Sequence, residues 1–204
     1  GYYSSAVGYM NTASGSDSSA VGYVNIASGW YSSAVGYRNE ASGMGSNAVG
    51  GNNLAKSQAS NAFGFSNTVN HGASNTNPFI SEGGVGIATA NAFGTANNVT
   101  GAGATAVGLK NTASGVVSSA FGTGATANQT GAIAFAGWYD QNADNKIDDA
   151  SLTASETAAA TGVSSVAIGA GVSATADRSS VFGVGSQATA LNATAIGFDS
   201  LADE

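Results

Sequence analysis

The residues with the clearest capacity for chemistry form a short acidic segment in the second half of the chain. Asp140, Asn142 and Asp144 alternate along it, and Lys146 and Asp148 continue the same spacing. Calcium binds six to eight oxygen ligands, and alternate residues on a tight loop can direct their oxygens toward one ion. Lys146 would contribute its backbone carbonyl, and Asp148 would bind directly or through water. The segment predicts a calcium site, which is the only cofactor that the sequence suggests.

The spacing resembles that of EF-hand and dockerin calcium loops, with Ile147 at the eighth position. Two positions depart from that pattern. Asn145 stands where these loops carry Gly, and Ser151 stands where they carry an acidic ligand. Asp149 or Glu156 could replace the missing carboxylate. The alternative interpretation is a solvated acidic loop without a bound ion.

No group of residues marks a catalytic site. His71 is the only histidine, and it lies in an Asn-His-Gly-Ala stretch with no acidic residue near it in sequence. Nothing resembles a nucleophile elbow, a phosphate-binding loop with its Lys, or a matched pair of carboxylates. Cysteine is absent, so thiolate chemistry and disulfides are excluded. We therefore predict that the chain is not an enzyme.

Charge and hydropathy limit the partners. The formal net charge is −7, and only 8% of the residues are charged, against about 25% in typical domains. Nucleic-acid binding requires clustered Lys and Arg, whereas the five basic residues here are scattered along the chain. No run of about 18 apolar residues occurs. We expect neither nucleic-acid binding nor membrane contact by this segment.

Aromatic residues are concentrated in the first forty positions. Tyr9, Tyr23 and Tyr37 recur at a constant interval and are expected to stack. We favour packing across a subunit boundary, or shielding of a thin core, over ligand binding for this column, although aromatic ladders can also grip proteins or sugars. Four other aromatic residues have fewer packing constraints and are the predicted surface contacts: Trp30, Tyr31, Trp138 and Tyr139.

A 14-residue internal repeat defines the elements that position these residues. Val, Ile or Phe followed by Gly recurs at this interval, with two interruptions, from Val7-Gly8 to Ile196-Gly197. Ala precedes nearly every such pair, Asn often follows three residues after the Gly, and a small apolar residue follows after five. Two strands and two tight corners fill one repeat, so each repeat is predicted to be one coil of a β-solenoid. Asn suits one corner and can bond along the stack, while a further Gly suits the other.

Strand alternation places the bulky residue and the preceding Ala on opposite faces. We expect the bulky residues to form an apolar ladder in a thin core, and the Ala and Gly face to admit another backbone closely. A thin core buries little area against about 1.5 kcal/mol of entropy per residue, which favours oligomerisation. The predicted subunit-interface residues are Ala6, Ala20, Ala34, Ala48, Ala62, Ala106 and Ala120.

The repeat frame breaks twice. Residues at about 70–90 are predicted to form irregular coils, and residues at about 137–162 to form a non-repeat insertion. The stretch from Ser151 to Ala160 is rich in Ala, Ser, Thr and Glu, which suggests a short surface helix.

The repeat Ser-Ser-Ala-Val-Gly-Tyr-x-Asn-x-Ala-Ser-Gly resembles the head repeats of trimeric autotransporter adhesins, the YadA-like heads. The resemblance covers most of the chain outside the two breaks. It implies an all-β fold, a left-handed parallel β-roll (a β-solenoid) spanning residues 1–204 as a single head domain. It further implies a homotrimer of chains side by side, so that the predicted interface residues would be a trimer interface.

The same resemblance implies a function and a location. YadA-like heads attach Gram-negative bacteria to host matrix proteins or other surfaces, glycans included, and contribute to virulence. The chain is therefore expected on the cell surface, anchored to the outer membrane through a missing C-terminal part. Two alternatives remain: a phage or phage-like tail-fibre segment that binds carbohydrate, and a monomeric ice-binding solenoid. The irregular column Thr12, Ile26 and Glu40 argues against ice binding, which needs a flat regular ladder.

Overall fold

The computed structural model describes residues 1–71, 89–138 and 156–204, and these residues form parallel strands without any helix. None of the described segments is a helix that could cross a membrane. Each coil consists of a long strand, a corner, a short strand and a second corner. The predicted all-β parallel solenoid of about twelve coils is therefore confirmed, whereas its left-handedness stays an implication of the resemblance. The chain divides into two compact units, Gly1–Gly103 and Ala104–Glu204.

The first unit contains six described coils, with long strands stacked in one parallel sheet and short strands in another. Equivalent residues pair in register; Ala20, for example, lies opposite Ala34. The long strands are β1 (Ser5–Tyr9), β3 (Ser19–Tyr23), β5 (Ser33–Tyr37), β7 (Asn47–Gly51), β9 (Asn61–Phe65) and β11 (Asn91–Thr95). The short strands are β2 (Thr12–Ala13), β4 (Ile26–Ala27), β6 (Glu40–Ala41), β8 (Leu54–Ala55), β10 (Thr68–Val69) and β12 (Asn98–Val99).

The second unit also contains six described coils and repeats this arrangement. Its long strands are β13 (Thr105–Leu109), β15 (Ser119–Thr123), β17 (Ile133–Ala136), β19 (Val166–Ala170), β21 (Ser180–Val184) and β23 (Thr194–Phe198). Its short strands are β14 (Thr112–Ala113), β16 (Thr126–Ala127), β18 (Ala158–Ala160), β20 (Val172–Ala174), β22 (Gln187–Ala188) and β24 (Leu201–Ala202).

Small side chains fill the core. The Ala that precedes the bulky residue, here called the Ala column, is fully buried in nearly every described coil, as is the small apolar residue of the short strand. Val is the largest apolar side chain that is fully buried in the described chain, at Val69, Val99, Val172 and Val181. A coil this short brings its two sheets so close together that the space between them accepts methyl, isopropyl and amide groups, but no ring.

The bulky Val, Ile or Phe before the Gly, here called the bulky column, points outward. Val21 and Val35 are each more than a third exposed, and Phe93 and Phe182 are exposed to a similar extent. The expectation that the bulky residues form the core was wrong, because the Ala column on the opposite face already fills the narrow interior. The bulky residues do stack as predicted, with ring centroids 5.4 Å apart between Phe63 and Phe93.

A ladder of Asn side chains runs through the core of the first unit, as predicted. The Asn39 Nδ2 lies 3.0 Å from the Asn25 Oδ1, 2.9 Å from the Val35 carbonyl oxygen and 2.8 Å from the Gly50 carbonyl oxygen. The Asn39 Oδ1 in turn accepts hydrogen bonds from the backbone and side-chain nitrogens of Asn53. Each buried amide is satisfied by the coils on either side, which removes the penalty of burying it. The members of this Asn column are Asn11, Asn25, Asn39, Asn53, Asn67 and Asn97.

Both corners contain a residue in the left-handed conformation, although neither position is the predicted one. The first corner places it one residue before the Asn, as at Val24 (φ 55°) and Arg38 (φ 53°). The second corner places it two residues after the predicted Gly, as at Asp17 (φ 55°) and Tyr31 (φ 58°). Non-Gly residues at these positions cost about 1–2 kcal/mol each. Hydrogen bonds between coils, such as Val24 N to Tyr9 O at 2.9 Å, hold them in place.

The Gly of the repeat is required by its backbone. Gly36 has a φ of 119°, and a Cβ atom placed there would lie 2.1 Å from the carbonyl oxygen of Gly50 in the next coil. The Ala and Gly face was expected to admit the backbone of another chain. The backbone that approaches the Gly closely belongs instead to the next coil of the same chain. Ala136 occupies this position in one coil, and its strand β17 is one residue shorter than the other long strands.

The two predicted breaks lie mostly outside the described residues. On either side of the first break, β9 and β11 pair directly, with Asn61 opposite Asn91. After the second break, β18 pairs with β16 in the frame of the repeat, with Ala159 opposite Thr126. The suggested helix is therefore wrong at Ala158–Ala160, because these residues already belong to a coil, and the inserted residues end before β18.

Candidate functional site

The outer surface of the long-strand sheet carries exposed apolar side chains in both units. Two columns form it: the bulky column and the residue after the Gly, here called the Tyr column. In the first unit Val7, Val21, Tyr9, Tyr23 and Phe65 are all exposed, the last by 52%. In the second unit Phe135, Phe182, Ile196 and Phe198 are exposed in the same way. We call this surface the long-strand face.

Stacked rings stiffen the long-strand face. Tyr9 and Tyr23 have ring centroids 5.1 Å apart, and Tyr23 and Tyr37 have centroids 5.5 Å apart, with nearly parallel planes. The predicted tyrosine ladder is therefore confirmed. The Arg38 guanidinium lies 5.3 Å from the centroid of the Tyr37 ring and covers the last tyrosine of the series. In the second unit Phe121 and Phe135 stack at 4.7 Å.

The short-strand face, on the outer side of the other sheet, has a different character. Thr12, Ile26, Glu40, Leu54 and Thr68 follow one another along it in the first unit, so polar and apolar residues are mixed. Glu40 forms an ion pair with Lys56 at 3.7 Å, and both side chains are about two fifths exposed. Such surface pairs stabilise a fold by at most about 1 kcal/mol. The apolar and mixed faces therefore lie on opposite sides of each coil.

The predicted trimer-interface residues do not line a surface. Ala20, Ala34, Ala48, Ala62, Ala106 and Ala120 are completely buried inside their own chain, and only Ala6, in the first coil, is exposed. The assignment of the six buried residues to an interface was therefore wrong, whereas that of Ala6 stays a prediction. The physical reason is that the Ala column and the bulky column occupy opposite faces, and the Ala column faces the opposite sheet of the same coil.

The predicted surface-contact residues separate into three groups. Trp30 and Tyr31 lie together at the corner between β4 and β5 and are exposed by 62% and 63%. Trp138 is half-buried, and its buried Nε1 has no hydrogen-bond partner among the described residues. Tyr139 lies outside the described residues.

The calcium ligands predicted at Asp140, Asn142, Asp144, Lys146 and Asp148 also lie outside the described residues, so this site stays a prediction. Elsewhere, in residues 1–71, 89–138 and 156–204, no group of His, Asp and Glu is close enough to hold a metal ion. Calorimetric titration of the chain with CaCl₂ is expected to show one site that is lost in Asp144→Ala; equal heats for both proteins would contradict the assignment.

Sequence reasoning missed the long-strand face as a surface, although the sequence contains a signal for it. Side-chain volume varies little in the Ala column, in the Asn column and at the small apolar residue of the short strand. It varies more in the bulky column, from Val49 to Phe63, and in the Tyr column, from Gly51 to Phe65. A coil interior of fixed width tolerates little variation in volume. The columns of restricted volume are therefore the buried ones, and the variable columns face outward.

The fold and its repeating faces define a parallel β-solenoid with one apolar and one mixed surface. The family model of the YadA head domain repeat (2 copies) matches residues 1–24, 27–53, 113–135 and 174–200. The chain is thus a YadA-like head domain, and the resemblance of its repeat is confirmed. A search of curated proteins found no match. The family is one of adhesins and is non-enzymatic in general.

Proposed function

We propose that this chain is the head segment of a bacterial adhesin, a homotrimer on the outer membrane that attaches the cell to host matrix proteins or other surfaces. The YadA head repeats support an adhesive role. The observation that carries the assembly is the long-strand face, where apolar side chains remain exposed in both units of the single chain. Contiguous apolar surfaces of this kind mark protein–protein contacts.

Periodicity supports a second copy of the chain as the occupant of the long-strand face. The bulky and Tyr columns repeat at the spacing of parallel strands, about 4.8 Å per coil. A partner surface that contacts every coil in the same way must itself repeat at this spacing. Identical stacks related by rotation about a common axis meet these conditions and form a closed assembly. Association would also supply the apolar burial that the core of Ala and Asn provides only in part.

The side-chain volumes on the long-strand face favour contact between equivalent coils. Where the Tyr column carries Tyr23, the bulky column carries Val21, and where it carries Thr123, the bulky column carries Phe121. Other coils differ: β9 carries two rings, Phe63 and Phe65, and β7 carries two smaller residues, Val49 and Gly51. The Phe65 ring lies against Gly51, since a Cβ atom at Gly51 would lie 2.9 Å from that ring. Side-chain volume thus varies from coil to coil, and only contact between equivalent coils brings the same volume together at each level.

Val35→Lys is expected to dissociate the trimer. The side chain lies in the bulky column of β5, where a buried, unpaired ammonium group would cost several kcal/mol at an interface. Light scattering should give a wild-type molar mass near three times 19.7 kDa and a mass near 19.7 kDa for the variant. Circular dichroism should show the same strand content for both proteins.

Ile26→Lys is the matched control. Ile26 is exposed by 41%, much like Val35 at 36%, but it lies on the short-strand face. This variant is expected to keep the wild-type mass. A wild-type mass equal to that of a single chain, or loss of assembly in Ile26→Lys alone, would contradict the proposed interface. In such a trimer the short-strand face and the corners of the coils would remain available to the host surface.

A further inference from the structure

Aromatic residues occupy the second corner of the first and third coils, where the fold does not require a ring. The left-handed position of this corner carries Tyr3 (φ 52°) and Tyr31 (φ 58°), whereas the same column carries Gly45 and Ala59 in later coils. The conformation favours Gly or Asn, and bulky residues there are outliers that cost about 1–2 kcal/mol. The corner forms with a hydrogen or a methyl group at this position, so its geometry does not require a ring.

Packing does not offset this cost. Trp30 and Tyr31 are exposed by about three fifths, and Tyr2 and Tyr3 in the first coil are exposed further. By contrast, Tyr23 of the Tyr column stacks against a ring on each side. The left-handed conformation recurs in most coils, for example at Val24 and Val117, so the exposed rings and not the backbone distinguish this corner. Exposed Tyr and Trp residues are enriched at contact sites.

The backbone places these residues at fixed intervals. The nitrogen of Asp17 donates to the Tyr2 carbonyl oxygen at 2.8 Å, and the nitrogen of Tyr31 donates to the Ser16 carbonyl oxygen at 2.9 Å. The same hydrogen bond recurs in the next coil, where the nitrogen of Gly45 donates to the Trp30 carbonyl oxygen at 2.7 Å. Tyr2 and Tyr3 therefore lie two coils from Trp30 and Tyr31, about 10 Å along the stack. Ser16 and Asp17 occupy the coil between them.

The resulting surface combines two aromatic platforms with a carboxylate and a hydroxyl between them, and we call it the aromatic corner (Tyr2, Tyr3, Asp17, Trp30, Tyr31). In the first five coils neither column of this corner contains Lys or Arg, and the chain as a whole carries a charge of −7. An anionic ligand would be repelled. A pyranose ring has an apolar C–H face that packs on an aromatic ring and a rim of hydroxyls that donate to a carboxylate.

We propose that the aromatic corner binds a neutral glycan, which extends along the stack over about two sugar residues. One sugar packs on Trp30 and Tyr31, and its neighbour donates a hydroxyl hydrogen bond to Asp17. The ordering cost on the protein side is small, because the coil-to-coil hydrogen bonds already fix the platform. The inference rests on the proposed adhesive function and names a site and a ligand class for it.

The test uses the 204-residue chain and four probes: cellotetraose, chitotetraose, mannotetraose and, as the anionic comparison, sialyllactose. Tryptophan fluorescence and calorimetry should detect binding of at least one neutral tetrasaccharide and none of sialyllactose. In calorimetry, the double variant Trp30→Ala/Tyr31→Ala is expected to bind the tetrasaccharide at least tenfold more weakly than the wild type. Asp17→Asn is expected to bind it about threefold to tenfold more weakly.

The matched control is Val116→Ala/Val117→Ala, at the same two corner columns of the second unit. It is expected to bind the tetrasaccharide with wild-type affinity. The proposal is overturned if no neutral probe binds, or if both double variants bind equally. If the chain adheres to collagen-coated wells and Trp30→Ala/Tyr31→Ala abolishes that adhesion without any glycan binding, the corner contacts protein instead. That outcome contradicts the glycan proposal but not the adhesive function. The adhesive function itself is contradicted if the chain is monomeric and adheres to none of the coated wells.

Discussion

Gly36→Ala is expected to lower the free energy of unfolding by about 3 kcal/mol or more, and to lower the thermal midpoint accordingly. Two penalties combine at this position. The φ of 119° lies in a region that L-residues rarely occupy, and the added Cβ atom would lie 2.1 Å from the Gly50 carbonyl oxygen. That oxygen is backbone of the next coil and also accepts the Asn39 amide hydrogen bond, so it has little freedom to move. Thermal unfolding followed by circular dichroism measures the effect.

Gly45→Ala separates the two penalties. Gly45 also has a positive φ, 66°, but a Cβ atom there meets nothing within 4 Å, and Ala59 occupies the equivalent corner with a φ of 52°. This variant is expected to cost about 1 kcal/mol, from backbone conformation alone. Equal destabilisation by both variants would show that the contact between coils at Gly36 contributes nothing.

Asn39→Ala is expected to destabilise the first unit by about 3 kcal/mol or more. The substitution removes the side-chain donor to the Val35 and Gly50 carbonyl oxygens and the acceptor of the Asn53 backbone nitrogen. The Asn25 Oδ1 loses one of its two donors, and the Asn53 Nδ2 loses one of its three acceptors. Each buried group left unsatisfied costs about 1–3 kcal/mol, although relaxation of neighbouring coils recovers part of this. Steric misfit is not the cause, because Ala125 occupies the same column in the second unit. Urea unfolding at fixed protein concentration measures the change in free energy.

Asn98→Ala is the control for the ladder. Asn98 lies one residue after Asn97 in sequence, on the exposed side of β12. Its replacement is expected to change the unfolding free energy by less than about 0.5 kcal/mol, as for most surface positions. A similar loss in Asn98→Ala and Asn39→Ala would contradict a specific role for the buried ladder.

These predictions bear on how a repeat stack is held together. In the first unit the buried Asn residues between the end coils form hydrogen bonds with the coils on both sides, so the loss of one Asn also removes hydrogen bonds of the neighbouring coils. Stability in such arrays is approximately a sum of coil terms and nearest-neighbour terms. The second unit keeps this Asn at Asn111 but carries Ala125, Val172 and Ser186 in later coils, and thus depends more on apolar contacts and less on amide bonds.

The sequence by itself determined the architecture of the coil. The short repeat interval left room for two strands and two corners, and β2 and β4 lie where the small apolar residues predicted a second strand. The Asn ladder and the Tyr9, Tyr23 and Tyr37 stack were also predictable, because in-register stacking of a repeat brings identical side chains together. The family resemblance followed from the same residues.

The tertiary structure decided which face of each strand lies inside. Alternation in sequence shows that Ala34 and Val35 face opposite ways, but it does not state which of them is buried. The distance between the two sheets of one coil decides this, since it accepts Ala34 and excludes larger side chains. That distance depends on corners whose left-handed residues, such as Arg38 and Tyr31, carry no sequence signature. The bulky and Tyr columns consequently lie on the surface, and the core consists mainly of Ala, Val and Asn side chains.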